Sequence, residues 1–143
     1  MILNPSLESL KHCAHLIKND ELVAVPTETV YGLAANARSE SAVRKIFEVK
    51  GRPLIDPLIV HCLDYSAALE CIESNPLIQS LAQKFWPGPL TLIAQKKAVI
   101  PGIVTAGQES VAIRVPAQKD LLQLLELCGV PLAAPSANPF GYV

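Results

Sequence analysis

No two of the four cysteines, Cys13, Cys62, Cys71 and Cys128, stand in a CxxC spacing. That removes the usual sequence sign of a zinc site or a dithiol redox motif. The four lie inside apolar patterns, where a thiol behaves as a small hydrophobe, so reduced core thiols are expected and no metal site is. A dominant charge is also missing, because 12 Lys plus Arg face 13 Asp plus Glu. Such a balance offers no broad basic field of the kind that drives non-specific nucleic-acid binding, and any anion site must be local. No uncharged run approaches the roughly 20 residues of a membrane-crossing helix, and the first residues lack a basic stretch leading into an apolar core. A soluble cytoplasmic protein without membrane contact is the expectation. Internal repeats, low-complexity tracts and Ser/Gly linkers are lacking as well, so residues 1–143 read as one domain.

What is present is apolar: half of the 143 residues, enough for a core that buries roughly two-thirds of the unfolded surface. Ser6 can cap a first helix in which Leu7, Leu10, Ala14 and Ile17 recur at helical spacing, ending near Asn19. Residues 22–25 read as a short strand. A second helix is expected from Ser39 through Ala42, Val43, Ile46 and Phe47 to Lys50, with Gly51 placed to end it. The apolar run PLIVHCL at 57–63 reads as a strand. Asn75 and Pro76 open a helix carrying Leu77, Ile78, Leu81 and Phe85, which Trp86, Pro87 and Gly88 stop. Strands follow at 90–94 and 111–115, then a helix over 118–127 closed by Gly129, and a strand at 130–134. Strands that are apolar on both faces imply helices on both sides of a sheet. The fold class is therefore α/β, a twisted sheet of mixed strand direction flanked by helices.

Polar residues gather where these strands and helices end, the usual place for ligands in open α/β sheets. PTETVYGL at 26–33 supplies two threonines, a glutamate and a tyrosine, read either as a ligand loop or as a plain turn with Gly32 for backbone freedom. KGRP at 50–53 places Lys50 and Arg52 around a glycine, suited to phosphate oxygens or simply to the negative end of a helix. PSANPFG at 135–141 brings Ser136 and Asn138 between prolines, as nucleotide contacts or as an Asn-Pro turn. His61 interrupts an apolar strand, as a satisfied core residue or as a group reaching a cleft. His12 and His15 share a helix face without a third ligand, and read as solvated.

Taken in order, PTETVYGL, KGRP, PLIVH at 57–61, FWPGPLT at 85–91, VAIRVP at 111–116 and PSANPFG resemble the YrdC-like family of threonylcarbamoyl-adenylate synthases. The resemblance spans nearly the whole chain and implies a YrdC-like sheet. It also implies a reaction in which the amine of L-threonine captures bicarbonate-derived carbon dioxide and the carbamate attacks the α-phosphorus of ATP, releasing pyrophosphate. Lys50 and Arg52 match the family's phosphate-contacting KxR and are its implied catalytic cations. Asp56, Ser110, Ser136 and Asn138 fall at its other ATP positions, and Thr29, His61, Arg114 and Ser136 at its threonine positions. Mg²⁺ is implied with ATP, and tRNA-modification proteins are the implied partners, the product serving adenosine 37 of tRNA.

The match departs from the family in two places. Asp56 stands where asparagine is usual, and a carboxylate beside phosphates needs neutralising. Relatives also continue past PSANPFG, so a domain lacking the family's C-terminal part is expected, with a site open on one side and with Phe140 and Tyr142 exposed. A second reading of the same fold is a non-catalytic module binding double-stranded RNA or tRNA through the basic stretch around Arg44 to Arg52. A third, the related domain of hydrogenase-maturation carbamoyltransferases, lacks its accompanying zinc-finger and acylphosphatase-like parts here.

Overall fold

The computed structural model describes residues 6–26, 31–51 and 57–135. Its elements are α1 Leu7–Lys18, β1 Val23–Pro26, β2 Tyr31–Asn36, α2 Glu40–Lys50, β3 Ile59–His61, α3 Tyr65–Ala68, α4 Pro76–Phe85, β4 Leu92–Gln95, a 3-10 turn Gly102–Thr105, β5 Ser110–Arg114, α5 Lys119–Cys128 and β6 Leu132–Ala134. Local chemistry sets the helix ends. The Ser6, Ser39 and Asn75 side chains accept the backbone N–H three residues on, which satisfies donors that the helix itself leaves unpaired. Gly51 (φ 65°) and Gly129 (φ 69°) end α2 and α5 in the left-handed region, where a side chain is penalised.

The sheet has six strands in the order β1-β2-β6-β3-β5-β4. β3 and β5 run parallel and every other neighbouring pair antiparallel, which gives the mixed sheet that was expected. Several boundaries differ from the sequence reading. The strand expected over 57–63 is only Ile59–His61. Pro57 has no N–H to give, the Leu58 N–H turns aside to the carbonyl of Val104, and Asp64 caps α3 just beyond. Within 26–33, residues from Tyr31 on are not a turn but the start of β2, which pairs with both β1 and β6. Its sequence YGLAAN has weak strand preference. Small residues serve there because helices lie close over both faces.

Those faces are unequal. One is covered over β2, β6, β3, β5 and β4 by a single apolar cluster that joins Ala35, Val60, Val111, Ile113 and Ala133 of the sheet to Val43, Ile46 and Phe47 of α2 and to Ile72 and Ile78. The other face is covered over β1, β2 and β6, where Val23, Val25, Ala34, Leu132 and Ala134 meet Leu10, Cys13 and Ile17 of α1 and Leu121, Leu124 and Leu125 of α5. Towards β3, β5 and β4 that second cover thins. Ile59 and Ala112 are half-buried, and Ile93 on the edge strand is 65% exposed. Helices flank both sides of the sheet, as expected, but the second side only in part. All four cysteines are buried free thiols. Cys62 is pushed up by its contact with Cys71 and by burial, so it stays protonated. No helix is long and apolar enough to cross a membrane, among the described residues.

Candidate functional site

Strand register fixes what lies side by side on the thinly covered face. His61 stands opposite Arg114 on β5 and opposite Leu132 on β6. β4 meets β5 with Leu92 opposite Ile113, so one step further back Thr91 comes opposite Arg114. The result is a polar row of His61, Arg114 and Thr91 across three strands. Two residues along each strand lies an apolar row, Ala134, Ile59, Ala112 and Ile93, and beyond it Ser110 opposite Gln95. Polar, apolar and polar rows thus follow one another at spacings of about 7 Å, the two-residue repeat of a strand.

His61 is 4% exposed, and its Nδ1 is buried without a hydrogen-bond partner among the described residues. Burial, with the neighbouring Arg114 charge adding to it, pushes the imidazole pKa down to about 4, so the ring is neutral near pH 7. A buried polar nitrogen left unpaired costs about 1–3 kcal/mol, and its place in a polar row is where a ligand could relieve that cost. Arg114 is part-buried and gives two hydrogen bonds to the Thr91 hydroxyl, from Nε at 3.0 Å and from Nη2 at 2.8 Å. The pair supplies a fixed guanidinium beside a neutral imidazole, a combination suited to a carboxylate with adjacent polar groups. Its place inside an apolar strand drew attention to His61, and the family resemblance to Arg114. Thr91 closes the segment FWPGPLT with no signal of its own, and its relevance shows only once the β4–β5 register is known.

Of the remaining candidates, Ser110 lies toward the opposite end of the same strands. Ser110 opens β5, about 13 Å along the strand from Arg114. Lys50 closes α2, where its charge complements the negative helix end. α2 starts beyond Asn36, which shares the His61 row through Leu132, and the chain next reaches the sheet at Ile59 on the other side. Thr29, Arg52, Asp56, Ser136 and Asn138, with Phe140 and Tyr142, lie outside the described residues. Of the cations once considered for RNA, Lys45 is committed elsewhere: its Nζ meets Glu21 at 3.7 Å and donates to the carbonyl of Asp20 at 2.9 Å.

Comparison with known proteins points one way. A family model named Sua5, YciO and YrdC, with the description telomere recombination, matches residues 15–143. Threonylcarbamoyl-AMP synthase of Pyrococcus abyssi is 47% identical over 133 residues, covering 92% of this chain and 39% of that protein. The enzyme of the same name from Bacillus subtilis is 48% identical over 134 residues, again covering 92% of this chain and 39% of its own length. The chain therefore spans about two-fifths of these relatives. Among solved structures, P. abyssi Sua5 complexed with L-threonine superposes with a TM-score of 0.88 at 47% identity, over 92% of this chain and 39% of that one. Escherichia coli YciO, at 20% identity and a TM-score of 0.86 over 97% of this chain and 68% of its own, shares the fold.

Proposed function

Because the chain belongs to the Sua5/YciO/YrdC family, we propose that it acts as an L-threonylcarbamoyladenylate synthase, a nucleotidyltransferase that joins L-threonine, bicarbonate and ATP into threonylcarbamoyl-AMP and pyrophosphate. The observation that carries this reading is the polar row His61, Arg114 and Thr91, lying on a sheet whose 47% identical counterpart was solved with L-threonine. Arg114 would hold the threonine carboxylate, and neutral His61 would hydrogen-bond a substrate oxygen or nitrogen without adding charge. Thr29 and Ser136 are assigned to the same amino acid.

The reaction needs little covalent chemistry from side chains. The carbamate formed from the threonine amine attacks the α-phosphorus, the bond to the bridging oxygen breaks, and pyrophosphate leaves with its electron pair. Negative charge grows around the phosphates, so fixed cations lower the barrier chiefly by position and electrostatics. Lys50 and Arg52 are assigned that role, with Asp56, Ser110, Ser136 and Asn138 around the nucleotide. The spacing of Ser110 from Arg114 along β5 suits a substrate pair laid lengthwise, nucleotide at one end and amino acid at the other. No group of three or more His, Cys, Asp or Glu side chains suited to a metal occurs among the described residues. In this reading Mg²⁺ arrives on the ATP phosphates and supplies charge neutralisation there. In this reading the product passes in the cytoplasm to partner proteins that modify adenosine 37 of tRNA. The deciding experiment incubates the protein with ATP, Mg²⁺, bicarbonate and L-threonine and follows pyrophosphate. Release that is the same with and without threonine would overturn the proposal.

A further inference from the structure

Three hollows on the surface join into one groove, and none of the polar row His61, Arg114 and Thr91 lines it. They meet at Leu63 and Asp64, just past β3, because both residues line all three. Leu122 is shared by two of the hollows and Glu126 by another two. The groove thus runs along α5, where Leu122, Gln123 and Glu126 stand at helical spacing on the side turned from the buried Leu121, Leu124, Leu125 and Cys128.

Its two ends differ in chemistry. Past β3 and β5 lies a hollow of about 230 Å³ walled by Leu63, Trp86, Val115 and Leu122, with the Tyr65 ring tilted against Trp86 at 6.5 Å. The Trp86 indole donates from Nε1 to the carbonyl of Leu90 at 2.7 Å, which fixes that wall. At the other end a hollow of about 310 Å³ meets Asp64, Glu70 and Glu126. Arg38, the cation among its lining residues, is already held to Glu70 at 3.0 Å. Carboxylates therefore dominate the second hollow as apolar groups dominate the first.

An acidic lining repels nucleic acids and nucleotides, which are polyanions, and attracts a basic group. The matching ligand carries an apolar side chain and a cationic one at the spacing of the two hollows. Leu122 and Glu126 are four residues apart on α5, about 6 Å. Side chains two residues apart on an extended chain share a face at about 7 Å, close to that span.

We propose that this groove docks a protein partner through an extended segment in which a large aliphatic residue and a Lys or Arg stand two positions apart. The aliphatic side chain fills the Trp86 hollow, and the cation lies over Glu126 and Asp64. An ion pair at so exposed a place contributes little alone, so burial of the aliphatic side chain supplies most of the affinity and the charge supplies selectivity. Leu63 is two residues past His61 and Val115 directly follows Arg114, which puts the docked segment beside the threonine end of the strands. The docking chemistry is independent of the reaction proposed above.

The probes are the end-blocked pentapeptide Ser-Leu-Ser-Arg-Ser and its reverse, Ser-Arg-Ser-Leu-Ser, titrated against the whole chain while the emission of Trp86, its single tryptophan, is followed. One of the two orders should shift the emission saturably. Alanine in place of the peptide's leucine should weaken binding about tenfold or more, and glutamate in place of its arginine about tenfold. Setting leucine and arginine side by side should weaken it similarly, since neighbours on an extended chain point to opposite faces. On the protein, Glu126→Lys changes an exposed position of α5 and should weaken the arginine peptide about tenfold while strengthening the glutamate one. No saturable shift with either order, equal affinity for the arginine and glutamate peptides, or a Glu126→Lys protein that binds like the parent would each overturn the proposal. Leucine amide binding as tightly as the pentapeptide would overturn it too, making the groove a site for small amines instead of a docking surface.

Discussion

β3 and β5 present two different surfaces from alternate residues of the same short segments. On one side Val60, Val111 and Ile113 are at most 2% exposed and join a continuous apolar cluster. On the other side His61, Ser110 and Arg114 stand among the half-buried Ile59 and Ala112. The first side gains stability from every atom it buries. The second gives some up, since a buried imidazole nitrogen finds no partner among the described residues and a guanidinium is taken partly out of water. Alternation lets the two tasks share one backbone, with the packed face fixing the register that aligns the polar one.

Breaking the packed face should have the largest effect on stability. Ile113→Ala removes a fully buried side chain next to Arg114 in sequence, and unfolding in urea should show a loss of about 2–5 kcal/mol. Threonine affinity per folded molecule should change little. A large selective loss of affinity would mean that the two faces are not separable.

The polar face should betray itself through pH. Above about pH 6.5 both folded and unfolded states carry a neutral His61, and it gives stability no slope. As pH falls below that value, the unfolded imidazole takes up a proton that the folded one, depressed to about 4 by burial, refuses. Stability should therefore drop between about pH 6.5 and pH 4, by about 3 kcal/mol in total. His61→Gln should lose this part of the slope, measured as the difference between parent and variant in unfolding experiments across that range. Equal slopes would mean that burial does not hold the His61 imidazole in its neutral form.

Arg114→Ala sharpens the comparison from the other side. Its charge-assisted bonds to a carboxylate are worth roughly 1.5–3 kcal/mol, so threonine should bind about ten- to a hundredfold more weakly by calorimetry. The midpoint of unfolding should move far less than in Ile113→Ala, because the side chain is only part-buried. The opposite ranking would make Arg114 a structural residue.

Helix ends were readable because their chemistry is local: Ser6, Ser39 and Asn75 cap within three residues, and Gly51 and Gly129 close with left-handed turns. β2 was not readable, since YGLAAN carries no alternating pattern and earns its strand through pairing with β1 and β6. The mixed sheet followed from the order of elements, whereas the thinning of its second cover depends on where α1 and α5 pack. Among site residues, the types of Lys50 and His61 were informative and the family resemblance supplied Ser110 and Arg114, but the row that joins His61, Arg114 and Thr91 depends on pairings between distant segments. Sequence spacing carries no trace of it.

The smallest expected effect belongs to Gly51, which sits between Lys50 and Arg52 and admits two explanations. A glycine there can let the backbone approach a phosphate, or it can simply close α2. Its φ of 65° and the N–H it donates to the Phe47 carbonyl mark a helix cap. Among the described residues no heavy atom lies within 4 Å of the position a Cβ would take, so crowding by them adds nothing to the cost of a side chain. Gly51→Ala should then cost about 1 kcal/mol, the left-handed backbone penalty alone. Gly51→Asn should recover part of it, because asparagine tolerates that conformation. If capping is the whole role, ATP affinity should stay within about twofold in both variants while Lys50→Ala weakens it about tenfold or more. If Gly51→Ala and Gly51→Asn both lose ATP binding without a matching loss of stability, the glycine belongs with the polar, ligand-facing side of the comparison, and the cap is incidental.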